Sequence, residues 1–234
     1  LAEVTPGGPG ALLIDAHVLP AVHITDTDGD VLKAWVASGS GHMATISGAT
    51  VDQNPAYADF MAKFSSRGAN RALPDIIKPD ISAPGVGIMA AYRDGVEFNI
   101  IQGTSMASPH VAGAGALLKA LHPDWTAAEI QSALMTTSFS GVIDTDGVSP
   151  AGPFDVGAGR IDLAQAGAAG LLLDETTADF EAANPADGGI PSELNLPSMG
   201  QDQCVGTCSW TRTVENVLAT AGSWTASTSA DAGM

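Results

Sequence analysis

Basic residues are scarce in this chain of 234 residues: 9 Lys and Arg stand against 26 Asp and Glu, for a formal charge of -17. Phosphate backbones are bound by clustered Lys and Arg, so nucleic acid is excluded as a partner, and an anionic membrane surface with it. Charged residues reach only 15% of the chain, against a usual share of about 25%. The acidity is read as solubility and self-repulsion rather than as a binding signal. No apolar run approaches the ~20 residues that span a bilayer. Residues 1–10 have neither the basic nor the apolar region of a signal peptide, and the first residue is Leu1 rather than Met. The chain is expected to be a piece of something longer, with any targeting signal upstream. Cysteine is nearly absent: Cys204 and Cys208 are the only two, with three residues between them and no neighbouring histidine. Two thiolates do not make a structural zinc site. A short-loop disulfide in an oxidising compartment is the expectation, adding little chain entropy. Two reduced, inert thiols are the alternative.

What is present is a 45% hydrophobic share, enough for a buried core. Residues 11–25 read as two short strands and Asp26–Asp30 as a turn. Val31, Leu32, Trp35 and Val36 recur at helical spacing up to Gly39. Residues 43–51 alternate weakly, as another strand would. From Asn54 onward, prolines and glycines punctuate β-like runs, and residues 96–102 form one more apolar strand. Gly103-Thr104-Ser105 follows, then an Ala, Gly, Val and Leu run to Leu121, apolar on every side and so expected to be a helix buried all round. His122-Pro123 ends it. Thr126 and Glu129 are spaced as a capping box for a second helix to about Thr136, and Asp162 to Gln165 repeats the device for a third. Beyond Asp174 the chain turns polar and reads as a linker. The stretches around Trp210 and Trp224 then alternate like strands of a β-domain.

A serine hydroxyl becomes a nucleophile only when it is positioned and deprotonated. Ser105 falls between a strand and the N-terminus of a helix, where free backbone N–H groups and the positive end of the helix dipole collect. Its own N–H is placed to bond an oxyanion. Pro109 is expected in the first turn, where a missing N–H costs least. His110 is not a base for Ser105. Five residues along a helix is about 500°, which sets the two side chains ~140° apart, so His110 is read as structural.

Gly103-Thr-Ser-Met-Ala-Ser-Pro-His-Val-Ala-Gly113 resembles the serine signature of the subtilases, the subtilisin-like serine peptidases. Phe64-Ser-Ser-Arg-Gly68, Lys78-Pro-Asp-Ile-Ser-Ala-Pro-Gly85, Leu117 to Trp125, Ala133-Leu-Met-Thr-Thr137 and Gly157-Ala-Gly159 resemble the blocks that flank that serine, in the same order. The resemblance runs over about residues 60–175 and is greatest to the larger subtilases with accessory domains. It implies an α/β fold, a mostly parallel sheet with flanking helices, present in part, with the helix after Ser105 running through its middle. β-rich accessory pieces would lie at both ends. Residues 1–45 resemble the end of a protease-associated domain, and 46–175 the C-terminal part of the catalytic domain. Residues 176–234, with Leu194-Asn-Leu-Pro-Ser198 and Thr211-Arg-Thr-Val-Glu-Asn-Val217, resemble a linker and the start of a fibronectin-III-like domain.

The resemblance implies an Asp–His–Ser triad in that chain order. Ser105 carries over as nucleophile and its N–H as part of the oxyanion hole, with Gly103 and Thr104 against the substrate and residues 80–103 helping to line the cleft. The triad Asp and His and the oxyanion Asn do not carry over. Asp26-Thr-Asp-Gly29 and His42 are decoys, separated by 16 positions and lacking the family's spacing; Asp26, Asp28 and Asp30 read as a turn and helix cap, and they fail the EF-hand spacing. No metal and no cofactor enter this reading. The expected function is that of a segment of a secreted serine endopeptidase acting on peptide or protein substrates, inactive alone and needing the upstream half of its polypeptide. A non-catalytic binding or scaffold fragment built from the accessory modules is the rival. A Gly-x-Ser-x-Gly esterase is excluded by Ala107.

Overall fold

Thr126 caps a helix in both directions: its hydroxyl accepts from the Glu129 N–H at 3.1 Å, and its own N–H donates to the Glu129 carboxylate at 2.6 Å. The helix so opened, α3, spans Ala127–Thr136. It follows α2, Thr104–Leu121, which ends where the sequence places His122-Pro123. These positions come from a computed structural model, which describes residues 2–5, 18–48, 58–93 and 95–229.

The remaining elements are short. Strands β1 (Ala2–Thr5) and β2 (Val22–Thr25) pair in parallel and lead into α1 (Asp26–Ala37). Strands β3 (Ile88–Ala91) and β4 (Phe98–Ile101) form an antiparallel hairpin that runs into α2. After α3 come two four-residue helices, α4 (Pro153–Val156) and α5 (Leu163–Ala166), the latter capped by the Asp162 carboxylate. Strand β5 (Leu171–Leu172) pairs antiparallel with β6 (Glu215–Asn216), and α6 (Thr177–Ala182) lies between them in sequence. The α/β class is as expected. Among the described residues the sheet is present as three separate two-stranded pieces, with isolated parallel bridges of Phe60 to Ile143 and Ser82 to Arg160 outside them.

The main core gathers Ala114 and Leu118 from α2, Ala133 and Leu134 from α3, Ala166 from α5, Leu172 from β5, and Trp125 and Ala169. Inside it Ser132 is fully buried, and its hydroxyl accepts the Leu173 N–H at 2.9 Å, so a polar group in an apolar setting is satisfied. A smaller core holds Met61, Val142 and Val156. Among the described residues no helix is long and apolar enough to cross a membrane.

Several expectations are corrected. Asp26–Asp30 is the first turn of α1, because Thr25 caps it by accepting the Asp28 N–H at 3.1 Å. Residues 43–48 form no strand, and 49–51 lie outside the described residues, as do 11–17, where the first of two strands is expected. Helix α2 is not buried all round: only Ala114 and Leu118 are, while Leu117 and Leu121 are 60% and 62% exposed. Apolar composition shows that a helix can be covered on each side, and burial depends on what covers it. Pro109 is the sixth residue of α2 and so beyond the first turn; lacking an N–H, it leaves the Ser105 carbonyl without the usual donor four residues on. Downstream of Asp174 the expected linker contains α6 and two short 3-10 turns, and its Leu194 is buried. Of the alternating stretches near Trp210 and Trp224, only Glu215–Asn216 pairs as a strand among the described residues.

Candidate active site

The turn that carries Ser105 is fixed from both ends. Strand β4 delivers the chain to Gln102, and Gly103 then takes φ 151° and ψ 163°, a conformation that favours glycine. The Gly103 carbonyl accepts from Met106 at 2.9 Å and so closes the first turn of α2. The Gly103 N–H donates to the Gly85 carbonyl at 2.9 Å. Gly85 ends a segment held on its other side: the Ser82 N–H bonds the Gly159 carbonyl at 2.8 Å, the Ile161 N–H bonds the Ser82 carbonyl at 2.9 Å, and the Ala158 N–H bonds the Asp80 carbonyl at 2.9 Å. Residues 80–85 therefore hold the serine turn against residues 158–161.

Ser105 is exposed, the second residue of α2. Its N–H is among the first four of the helix, which have no carbonyl one turn back to receive them. The geometry leaves that N–H and the hydroxyl at the positive end of an 18-residue helix. Beside the turn is an open cleft of about 490 Å³. Gly103, Thr104, Ala107 and Ser108 line it, facing Gly85 and Phe64; Ser105 does not. One residue of helix is about 100° of rotation, so Ser105 points away from the wall that Thr104 forms. The cleft thus brings Gly103 and Thr104 together without Ser105.

None of three histidines is turned to Ser105. The His110 Nδ1–H donates to the Met106 carbonyl at 2.7 Å, one turn back on its own helix. His122, at the far end of α2, bonds the Gly167 carbonyl at 3.0 Å and stacks on Trp125 at 3.8 Å. His42 packs against Trp35 with ring centres 4.3 Å apart, and Asp26 accepts from the Thr27 N–H at 2.9 Å within the cap of α1. His23 lies in β2, and His17 is outside the described residues.

Two ion-pair groups flank the cleft. Arg67 bridges Asp155 and Asp144, the latter at 2.7 Å, and Arg160 reaches Asp59 at 2.5 Å while lying over the Phe139 ring at 5.0 Å. The hydrogen bond from Arg67, with the Thr145 amide adding to it, holds the Asp144 carboxyl below the usual carboxylate range. These pairs join segments far apart in sequence around the small core. Cys204 and Cys208 are joined as a disulfide, with Cα atoms 5.8 Å apart, in a loop remote in sequence from the serine turn. The sequence alone does not single out Gly85 as the partner of Gly103, although it lies inside one of the flanking blocks.

An exposed serine thus stands between a strand and a long helix in an α/β chain. The chain belongs to the subtilase family of subtilisin-like serine proteases, whose model matches residues 23–162. It is 37% identical to "Subtilisin-like protease SBT1.7" of Arabidopsis thaliana across 88% of this chain and 32% of that protein. It is 42% identical to "Subtilisin-like protease SBT1.6" of the same plant across 77% of this chain and 26% of that one. The chain thus spans about a third or less of the length of the curated relatives it matches. Fervidolysin from Fervidobacterium pennivorans, a keratinolytic enzyme related to subtilisin, overlaps 38% of this chain and 15% of its own at 28% identity and a TM-score of 0.31, so the family assignment rests on sequence.

Proposed function

We propose that this chain supplies the nucleophile of a secreted serine endopeptidase, and that the triad histidine and aspartate and the oxyanion asparagine come from sequence outside it, upstream in the same polypeptide. The observation that carries this reading is the exposed Ser105 at the head of α2, in the first turn, where an N–H has no intrahelical acceptor. Family membership supports it.

The Ser105 Oγ attacks the scissile carbonyl carbon of a peptide while the upstream histidine takes the hydroxyl proton. The carbonyl π electrons move onto oxygen, and the Ser105 N–H donates to that oxyanion. Collapse breaks the C–N bond; the departing amine leaves with the proton from histidine, and the acyl group stays on Ser105 as an ester. Water, deprotonated by the same histidine, releases the acid. Gly103 and Thr104 contact substrate beside the nucleophile. In the same reading residues 1–45 end a protease-associated insert, 46–175 complete the catalytic domain, and 176–234 begin a fibronectin-III-like domain.

The test is peptide hydrolysis by the parent polypeptide and by this chain alone. The parent cleaves, Ser105→Ala in it loses about 10⁴- to 10⁶-fold in kcat, and the isolated chain lies near the Ser105→Ala level. Undiminished cleavage by the Ser105→Ala parent would end the proposal.

A further inference from the structure

The segment after Arg212 lies, by composition, in the downstream β-rich piece, yet side chains far from it in sequence hold it in place. Asn195 uses its whole amide on this task. Its Oδ1 accepts the Thr213 N–H at 2.8 Å, and its Nδ2 donates to the Thr213 carbonyl at 2.9 Å and to the Asp174 carbonyl at 3.2 Å. Both backbone groups of one residue are thereby paired, as a neighbouring strand would pair them. The Asn195 N–H in turn donates to the Glu175 carboxylate. One residue along, the Arg212 guanidinium donates to four carbonyls: Leu196 at 2.8 Å, Thr211 at 3.0 Å, Ser198 at 3.2 Å and Ser192 at 3.3 Å. Its burial pushes the Arg212 pKa down, and the nearby charge of Glu175 opposes that.

Beyond Thr213 the chain reaches the core at Val217, while Glu215 and Asn216 stay exposed. Glu215 and Asn216 pair with Leu172 and Leu171, the Val217 N–H bonds the Gly170 carbonyl at 3.1 Å, and Val217 packs on the cluster that holds Leu118 of α2. The next amide of the partner strand, that of Leu173, bonds the Ser132 hydroxyl inside α3. The Thr126 hydroxyl that caps α3 also donates to the Asp174 carboxylate at 2.6 Å.

We propose that residues 211–217, although they fall in the stretch read as the start of a downstream domain, are clasped by Asn195 and Arg212 onto the core that holds α2 and α3, so that the packing of β5 and α3, and through them α2, depends on sequence downstream of Asp174. The clasp makes this core conditional on its C-terminal extension: a chain ended before Arg212 loses the outer face of β5. The proposal stands on contacts alone and is independent of the peptidase reading.

Hydrogen–deuterium exchange on the intact protein tests it, read at the Thr213, Val217 and Leu173 amides. Asn195→Ala is expected to speed exchange at all three by about tenfold, with Arg212→Ala doing the same at Thr213 and Val217. Asn195→Asp keeps the acceptor and loses the donor, and the same pattern is expected at a smaller size should the alanine variant not fold. Exchange at Val217 and Leu173 at the parent rate, in whichever of these variants folds, would overturn the proposal: the clasp would then hold only Thr213.

Discussion

The Gly103 amide donates to the Gly85 carbonyl at 2.9 Å, and a Cβ on Gly85 would stand 2.9 Å from the Gly103 carbonyl oxygen. The two glycines touch backbone to backbone, leaving no room for a methyl group between the loop 80–85 and the turn that carries Ser105. Gly85→Ala is therefore expected to push that turn aside. An overpacked contact of this kind costs about 1–3 kcal/mol of stability, and a nucleophile displaced by a fraction of an ångström loses at least about tenfold in acylation rate. Acylation by a fluorophosphonate, compared at matched folded fractions in the parent polypeptide, checks it; an unchanged rate would show that the turn does not depend on Gly85.

His110 is bound to the Met106 carbonyl at 2.7 Å and faces away from Ser105. On the proposed function, the parent polypeptide with His110→Ala should retain kcat/KM within about threefold, since the loss of a true general base costs about 10⁴-fold or more. A loss on that scale would make His110 the base and refute a ring turned back along its own helix.

Ser132 is fully buried and its hydroxyl is the acceptor for the Leu173 amide. Ser132→Ala removes the acceptor but keeps the space nearly filled, leaving an N–H orphaned in the core. The expected cost is about 1–3 kcal/mol, read from the denaturant midpoint. A cost below about 0.5 kcal/mol would mean that the Leu173 N–H finds another partner.

The chain's helices are legible where their caps are local. Thr126 with Glu129, and Gly103 before an apolar run, mark the starts of α3 and α2 within a few residues of sequence. The start of α1 is hidden because Gly29 amid aspartates resembles a turn, whereas the Thr25 cap carries the helix through it. Strands are less legible, for pairing is decided by a partner elsewhere: residues 43–48 have alternation and no strand partner among the described residues, while Glu215–Asn216 finds one forty-four residues back at Leu171–Leu172. Ser105 can be placed at a helix head from its neighbours alone. The Gly85 contact and the Asn195 clasp cannot, since each joins residues about eighteen apart through the fold rather than through a local pattern.

Asp144 is held below the ordinary carboxylate range by Arg67. A depressed folded value means that the group's stabilising contribution is in place above its ordinary value of about 3.9 and is lost as pH falls through the folded one. Carboxyl carbon shifts followed by NMR should show Asp144 titrating below about 3.9, and Arg67→Ala should move that midpoint upward while costing about 1 kcal/mol near neutral pH. An unmoved midpoint would separate Asp144 from Arg67.

The most direct measurement is a fluorophosphonate adduct on the parent polypeptide, located by mass spectrometry of its peptides. The added mass is expected on the peptide containing Ser105, on no other serine, and to vanish in Ser105→Ala. An adduct mapped to a different residue, or none formed by a parent that cleaves peptides, would contradict the assignment of the nucleophile.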